Sequence, residues 1–472
     1  MKNKFSSLAK DTVLFSISNF GSKILILLLT PLYTSVLSTD EYGIADLIMT
    51  TINFIYPVLT LAIAEGTLRF ALDKNKNSEK VLSTSMIFIS FSVILLLLIS
   101  PVVSAKNELL SNYWIVFVIT YALYNYHNCL VNYAKGIGKT TLFAIQGIVM
   151  TISVIISNIL FLLVFKIGLA GYLISIIVGY IISILVIIVG CKIYKFKKLF
   201  SIEKSLLKEM LVYSLPMVPT ILSWAINSSI DKYMIIGFIG LGASGIYSVA
   251  HKIPSILTTV LSLFLQAWQI SAIENHGEDD ESDYYTVIYK YLDFLGVVGC
   301  ILIAMFSKTI SRILFAEEYF GAWQYVPLLT VSAIFSTLAG FLAAAFRASK
   351  KTKDLFYSVI VGAVFNVVMN AILIPTVGVL GAAIATAISF MAMWLVRFVT
   401  IQHIVRIKIN INKTIITYLL FLGIIIYITM DMAYASVLGT VVLILIIFMY
   451  KSEVKKLFNL VIHISKKSYI KN

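Results

Sequence analysis

Long apolar runs separated by short polar segments extend along almost the whole chain. Residues 81–103, 169–190 and 355–394 contain no Asp, Glu, Lys or Arg. A run of about 18 or more apolar residues is typical of a helix that crosses a bilayer, because lipid offers backbone N–H and C=O groups no hydrogen-bond partner. The pattern predicts an all-α polytopic membrane protein with about 14 transmembrane helices. These spans lie near residues 12–37, 44–66, 81–103, 112–134, 141–165, 169–190, 211–238, 244–272, 286–306, 322–345, 355–375, 379–401, 413–430 and 434–450.

The composition excludes a soluble enzyme. Of the 472 residues, 60% are hydrophobic and 13% are charged, which is about half of the roughly 25% charged residues typical of soluble domains. No segment between the spans is long enough to form a catalytic domain. Cys129, Cys191 and Cys300 are scattered and form no cluster with histidines, so the sequence predicts neither a metal site nor a cofactor.

The net charge of +14 is a topology signal rather than a nucleic-acid patch. If the N-terminus is inside, 29 of the 37 Lys and Arg residues lie in inner segments, four in outer loops and four inside spans. This asymmetry follows the positive-inside rule. It predicts that both termini are cytoplasmic, and most of the excess charge then faces anionic lipid instead of a nucleic acid.

Similar motifs recur in the two halves of the chain. Tyr42-Gly43-Ile44 and Ser244-Gly245-Ile246 are offset by 202 residues, and residues 139–143 resemble residues 351–356 at an offset of 212. The repeat predicts two lobes that run in the same direction, with a site between them near the membrane midplane. The predicted domains are an N-terminal six-helix lobe at 1–206, a C-terminal six-helix lobe at 207–402, and two additional helices with a cytoplasmic amphipathic tail at 403–472.

Charged side chains at membrane depth are the candidate substrate contacts. A Lys or Arg at the centre of a span costs roughly 2.5–3.5 kcal/mol, and Lys23 lies about 16 Å into its span at the helical rise per residue. Asp231, Lys232, His251 and Lys252 share one depth in the outer half of two antiparallel spans. Two interpretations are open: an Asp231–Lys252 ion pair with a structural role, or a substrate-binding cluster.

Other charges near the ends of spans have more ordinary explanations. Arg397 is close to the inner end of its span, from which a long side chain reaches the interface easily. Glu65 and Arg69 have the i, i+4 spacing of a helical salt bridge. Asp46 is near the outer end of its span, and the sequence predicts that it is merely interfacial.

Several stretches together resemble one family of membrane proteins. They are similar in order and spacing to the bacterial polysaccharide (lipid-linked oligosaccharide) flippases of the multidrug/oligosaccharidyl-lipid/polysaccharide exporter superfamily. The resemblance implies two six-helix lobes around a central cavity, with two extra helices, in the bacterial cytoplasmic membrane. The stretches include Asn19-Phe20-Gly21, Leu68-Arg69-Phe70, Tyr213-Ser214-Leu215-Pro216, Asp231-Lys232-Tyr233 and Gly245-Ile246-Tyr247-Ser248.

The resemblance also implies a function. It implies alternating-access export of an undecaprenyl-diphosphate-linked oligosaccharide repeat unit for capsule, O-antigen or exopolysaccharide biosynthesis. The implied partners are this lipid-linked substrate, membrane lipids, and polysaccharide polymerase and assembly proteins. Cations inside the spans outnumber the deep acid Asp231, as a diphosphate site requires. The predicted substrate-binding residues are Lys23, Arg69, Asp231, Lys232, His251, Lys252 and Arg397.

Two alternatives within the same superfamily stay open. A cation-coupled multidrug exporter has the same fold but is expected to favour buried acids over buried lysines. A peptidoglycan-precursor lipid flippase is harder to separate by sequence. A membrane polymerase or glycosyltransferase belongs to a different class and usually needs a large outer loop with catalytic residues, whereas the longest outer loop here, 307–321, is short.

Overall fold

The computed structural model describes residues 25, 27–104, 108–196, 201–274, 276–278 and 280–451. All regular secondary structure in these ranges is helical, which confirms the predicted all-α fold. The α-helices of this part of the chain are α1 (Thr30–Val36), α2 (Thr39–Leu59), α3 (Ile63–Ala71), α4 (Ser78–Ser104), α5 (Glu108–Gly136), α6 (Thr140–Asn158), α7 (Gly168–Gly190), α8 (Lys204–Ser214), α9 (Val218–Phe238), α10 (Leu241–Ala250), α11 (Lys252–Glu274), α12 (Glu281–Met305), α13 (Ser307–Leu314), α14 (Val326–Ala348), α15 (Thr352–Val377), α16 (Val379–Ile401), α17 (Ile411–Thr429) and α18 (Ala435–Met449).

The predicted spans coincide with these helices. Within the described ranges, eleven helical segments are long and apolar enough to cross a membrane. The predicted span 112–134 lies inside α5, and 434–450 coincides with α18, which has 15 residues. Most of the predicted span 12–37 lies outside the described residues, so the total of about 14 is an approximate count.

Three of the predicted spans are broken helices. The span 211–238 is interrupted by the 3₁₀ turn Leu215–Met217 between α8 and α9, and two others are interrupted by single turns. The span 44–66 is interrupted after Leu59, because Leu61 and Ala62 adopt left-handed backbone angles, with φ of 47° and 52°. The span 244–272 is interrupted at His251, which forms a turn between α10 and α11. Irregular backbone at membrane depth is tolerated where protein or a cavity satisfies it, so such breaks mark places where function is expected.

The chain divides into two compact units between Ser248 and Val249. Unit 1 contains α1 to α9 and most of α10. Its core includes Ile63, Leu82, Leu130 and Met210, which come from α3, α4, α5 and α8. The predicted lobes divide at residue 206 instead, and their bounds and mutual superposition stay a prediction.

Unit 2 is built around α14. Nearly every residue of this helix is buried. Trp268 of α11 stacks on Phe341 with 4.4 Å between ring centroids, and its indole N–H donates to the Phe341 carbonyl at 3.1 Å. An almost wholly buried helix cannot face lipid, so α14 is the central helix of this unit.

Ion pairs between connecting segments join residues that the predicted topology places on the same side of the membrane. In unit 1, Lys76 and Glu209 pair at 2.6 Å, and both lie in segments predicted to share the inner side. In unit 2, Lys308 pairs with Asp431, and both lie in predicted outer loops. The pairs agree with the predicted grouping, while the cytoplasmic assignment of one side stays a prediction.

Candidate functional site: a polar helix crossing in unit 1

Two glycines allow α2 and α10 to cross at very short distance. A Cβ atom built on Gly43 would lie 2.4 Å from the Leu241 carbonyl oxygen, and one built on Gly245 would lie 2.1 Å from the Thr39 carbonyl oxygen. No side chain fits at such distances from backbone atoms. Small residues are the usual means by which membrane helices approach this closely.

The crossing has local two-fold pseudosymmetry. Gly43 meets Leu241 as Gly245 meets Thr39, and the members of both residue pairs, 39/241 and 43/245, are offset by 202 positions. One turn further along, Asp46 accepts a hydrogen bond from Ser248, again with a separation of 202 residues. An internal duplication predicts such a self-matching contact, so the crossing supports the repeat inferred from the sequence.

An ion pair lies beside the glycines. The Lys232 Nζ of α9 is 2.8 Å from Oδ2 of Asp46, and the Ser248 hydroxyl donates to the same oxygen at 2.8 Å. The side chains of Lys232 and Asp46 are 14% and 21% exposed. The prediction that Asp46 is merely interfacial was wrong, because this carboxylate is the partner of a cation within a span.

Asp231 has a different environment from its neighbour. It is 1% exposed, and its Oδ2 accepts a hydrogen bond from the Tyr247 hydroxyl at 2.6 Å. On the next residue, Tyr233 shares a hydrogen bond of 2.5 Å with Thr51 of α2. Successive residues on α9 therefore face different neighbours, as the 100° helical step requires. Lys232 binds Asp46 rather than the adjacent Asp231.

His251 and Lys252 belong to unit 2. His251 occupies the turn before α11, and Lys252 is the first residue of that helix. The predicted Asp231–Lys252 ion pair stays a prediction. Lys23, the deepest predicted cation, lies outside the described residues, as does the predicted amphipathic tail beyond residue 451.

The predicted salt bridge between Glu65 and Arg69 is absent. Both residues lie on α3, yet no ion pair joins them in the described part of the chain. Arg69 is exposed, so its guanidinium is available for other contacts at this end of α3.

A buried polar network on α5, α6 and α7 was not predicted from the sequence. The His127 Nε2 lies 3.1 Å from Gln146 Oε1 and 3.0 Å from the Ser183 hydroxyl, and Ser183 donates to Gln146 at 2.5 Å. Gln146 and Ser183 are isolated polar positions in apolar spans, whereas His127 lies between Asn125 and Asn128. Polar residues inside a membrane usually face the bundle interior. This tendency was the only sequence signal that these three residues lie inside the bundle.

Arg397 lies in the interior of unit 2, not at the interface. It is 1% exposed and is among the largest fully buried side chains of the described residues. Its Nε donates to the Ser358 hydroxyl at 2.8 Å, and its Nη1 donates to the Ala339 carbonyl at 2.7 Å. The expected snorkelling was wrong, because the side chain points toward α14 and α15.

Comparison with known families identifies the class of protein. A sequence model of the polysaccharide biosynthesis protein family matches residues 8–269, more than half of the chain, and the chain belongs to this family. The MatE family model matches residues 225–372. Both matches place the chain in the polysaccharide and multidrug exporter superfamily. In the described residues, no group of three or more His, Cys, Asp and Glu could hold a metal ion.

Two curated relatives are uncharacterized membrane proteins of Methanocaldococcus jannaschii. One is 22% identical over 431 residues, covering 86% of this chain and all of the relative. The other is 29% identical over 273 residues, covering 52% of this chain and 51% of the relative. The first alignment shows that the similarity extends over most of the chain.

Solved structures of two transporter types share the fold. An inward closed lipid II flippase MurJ covers 94% of this chain and is itself covered completely, with a TM-score of 0.70 and 17% identity. An inward-facing multidrug resistance MATE family transporter covers 82% of this chain, and 97% of it is covered, with a TM-score of 0.69 and 16% identity. The protein is therefore a multi-pass membrane protein of a superfamily of transporters and flippases.

Proposed function

We propose that the protein is a flippase for a lipid-linked oligosaccharide carried on undecaprenyl diphosphate. It works by alternating access in the bacterial cytoplasmic membrane and supplies repeat units for surface polysaccharide biosynthesis. The matched family, described as polysaccharide biosynthesis proteins, supports this substrate class. Membrane lipids surround it, and polysaccharide polymerase and assembly proteins are its proposed partners.

The polar helix crossing carries the mechanism. Asp46 lies on α2, in the predicted N-terminal lobe, whereas Lys232 and Ser248 lie on α9 and α10, in the predicted C-terminal lobe. These contacts support a mechanism in which the ion pair and the glycine crossing close the predicted outer side. Alternating access requires this closure to open. When it opens, the Lys232 ammonium loses Asp46 and can bind an anionic group instead.

A diphosphate is the anionic group that fits this exchange. It carries more negative charge than the single Asp46 carboxylate, and lysine binds phosphate as a compact point charge. Lys23, Arg69 and Lys252 are the further proposed cations along the path, with Asp231 and His251 as neighbouring polar groups. We leave Arg397 out of the path, because its guanidinium is enclosed within unit 2.

The two alternatives have structural support of their own. The lipid II flippase and the multidrug transporter match the fold with nearly equal TM-scores of 0.70 and 0.69. Reconstitution in liposomes separates the three functions. We expect a lipid-linked oligosaccharide to reach the far leaflet faster than in protein-free vesicles, with no such acceleration for lipid II or a lipophilic drug cation. Acceleration of lipid II or the drug alone would replace the proposed function.

Lys23 provides the variant that tests the role of positive charge. A diphosphate at the midplane needs a nearby cation, because no solvent is present there to replace it. We expect Lys23→Ala to lower flipping at least tenfold while membrane abundance stays normal, and Lys23→Arg to retain part of the activity. Normal flipping by Lys23→Ala would exclude the residue from the path.

A further inference from the structure

A polar cavity of about 220 Å³ opens in unit 2. It lies between the N-terminal part of α12, the start of α17 and the residue that follows α18. Its lining is polar and aromatic, unlike that of a cavity of about 330 Å³ between α14, α16 and α17, which is apolar. The lining includes Lys290, Asp293, Asn410, Lys413, Thr414 and Tyr450.

Two ammonium groups give the cavity a cationic wall. In the described residues, no carboxylate lies within ion-pair distance of Lys290. The Lys413 Nζ lies 3.8 Å from the centroid of the Tyr450 ring, which holds this ammonium at the mouth of the cavity. Lysine pairs facing a space of this size are typical of sites for phosphate-bearing headgroups between transmembrane helices.

One acid belongs to the same wall. Asp293 is buried, and its Oδ1 accepts a hydrogen bond of 2.5 Å from the Tyr418 hydroxyl of α17. A bare phosphate would be repelled by an ionised carboxylate in the same cavity lining. A ligand that carries both a phosphate and a hydroxyl or ammonium donor would satisfy all three side chains.

The predicted spans place the cavity toward the predicted inner side. Two spans begin at residues 286 and 413 and one ends at residue 450 on this side, so the lining residues lie within about two helical turns of the ends of three spans. The Lys408–Asp283 ion pair, at 2.7 Å, joins the segments that precede α17 and α12 on this side. Below this level, apolar side chains of α17 and α18 such as Ile415, Leu419 and Phe448 are exposed, as acyl chains in contact with them require.

We propose that this cavity binds the phosphate of a membrane lipid whose headgroup also carries a hydrogen-bond donor. Lys290 and Lys413 bind the phosphate oxygens, and the donor reaches Asp293. The site fixes the two additional helices to unit 2 through a lipid of the predicted inner leaflet. It is independent of the proposed transport path, so its failure would leave the proposed function untouched.

Lipid binding to the full-length protein in detergent tests the site. The probes are phosphatidylglycerol, phosphatidylcholine and inorganic phosphate, with binding followed by native mass spectrometry. We expect saturable binding of phosphatidylglycerol and binding of phosphatidylcholine weaker by about tenfold, because its headgroup has no donor. Each lysine near an anionic lipid contributes about fivefold in affinity, so Lys290→Gln with Lys413→Gln should weaken phosphatidylglycerol binding about thirtyfold.

Lys351→Gln with Lys353→Gln is the matched control. It removes the same two charges from exposed positions at the start of α15 that do not line the cavity, and it should bind phosphatidylglycerol normally. Equal binding by the double variant and the wild type would overturn the proposal, as would an equal loss in the control. Displacement of the lipid by equimolar inorganic phosphate would show a free-phosphate site instead.

A second measurement needs no variant and covers the case in which the double variant does not fold. Photoreactive phosphatidylglycerol added to the wild-type protein should cross-link to peptides that contain residues 289–293 and 409–414. Cross-links found only on other helices would overturn the proposal.

Discussion

Lys232 and Arg397 look alike in the sequence, since each is the one Lys or Arg within its predicted span. Their surroundings are opposite. Lys232 meets a carboxylate, Asp46, at a helix crossing where both side chains keep some exposure. Arg397 has almost no exposure and donates to two neutral acceptors, while its Nη2 is buried without a hydrogen-bond partner among the described residues.

These different surroundings make the contact of Lys232 with Asp46 easier to break than the contacts of Arg397. The contact of Lys232 spans helices of different predicted lobes, and an ion pair with some access to solvent can break at moderate cost. The contacts of Arg397 stay within one predicted lobe, and breaking them would leave a charge buried in the protein interior. In the proposed mechanism, position relative to the boundary between the predicted lobes, not charge alone, therefore decides which buried cation can serve transport.

The largest expected effect follows from removing the fixed cation. Arg397→Ala deletes a large buried side chain and leaves a cavity between α14, α15 and α16. We expect a loss of roughly 2–5 kcal/mol in the free energy of unfolding, seen as low membrane abundance and a lower Tm. Arg397→Met keeps the volume without the charge, and such replacements of buried charges are often neutral.

The pair of Arg397 variants discriminates structure from transport. If Arg397 is a packing residue, Arg397→Met restores both abundance and flipping. If Arg397 binds the substrate, Arg397→Met restores abundance but not flipping, and the contrast with Lys232 would disappear.

The next effect concerns the glycine crossing. In Gly245→Ala, the added Cβ atom would lie 2.1 Å from the Thr39 carbonyl oxygen, so α2 and α10 must separate. We expect the closed conformation to lose roughly 1–3 kcal/mol, as overpacked positions do. Labelling of a Ser248→Cys reporter, which keeps the Asp46–Lys232 ion pair, should then become faster from the predicted outer side.

Gly237 gives a control on the neighbouring helix. A Cβ atom there meets nothing within 4 Å, so Gly237→Ala should leave labelling at the wild-type rate. Slow labelling in Gly245→Ala would mean that the crossing does not close the predicted outer side.

Breaking the ion pair should lower the stability of the closed conformation less than replacing Gly245 by alanine does. Asp46→Asn leaves the partly exposed Lys232 ammonium without its carboxylate, at a cost of about 1–2 kcal/mol, between the values for surface and buried pairs. Flipping should change while abundance stays normal. The exchange Asp46→Lys with Lys232→Asp restores a pair and should recover much of the closure, measured by the same labelling assay.

The sequence was sufficient for the architecture because long apolar runs have few structural solutions in lipid. The thirteen predicted spans from 44–66 onward coincide with helices, and Gly43 and Gly245, noticed only as a repeat, prove to meet at one crossing. Charge asymmetry likewise anticipated which connecting segments share ion pairs, such as Lys76 with Glu209.

The sequence was not sufficient to predict which residues contact the buried charges. Depth along a helix can be counted, but the direction of a side chain depends on the rotation of that helix against its neighbours. Asp46 and Lys232 are 186 positions apart, so no local spacing indicates their pair. Arg397 is near a helix end, where snorkelling is available, yet its rotation turns it inward to Ser358. Glu65 and Arg69 have the favourable spacing and form no ion pair.

The smallest effect is expected for a third cation, Lys76, which lies outside the spans. Its ammonium pairs with Glu209 at 2.6 Å, and the hydrogen bond that it donates to this carboxylate raises the pKa of Lys76 above its ordinary value of 10.5. A raised lysine pKa stabilises the folded state below that ordinary value, and the contribution is lost only as the pH rises through the raised pKa. Between about pH 6 and pH 9 the contribution of Lys76 to the stability of the folded state is therefore constant.

Because solvent screens an exposed pair, Lys76→Gln should change neither the Tm nor the rate of flipping, and Glu209→Gln should behave identically. If Lys76→Gln lowered the flipping rate as much as Asp46→Asn, the location of Lys232 at the helix crossing would not explain its importance for flipping.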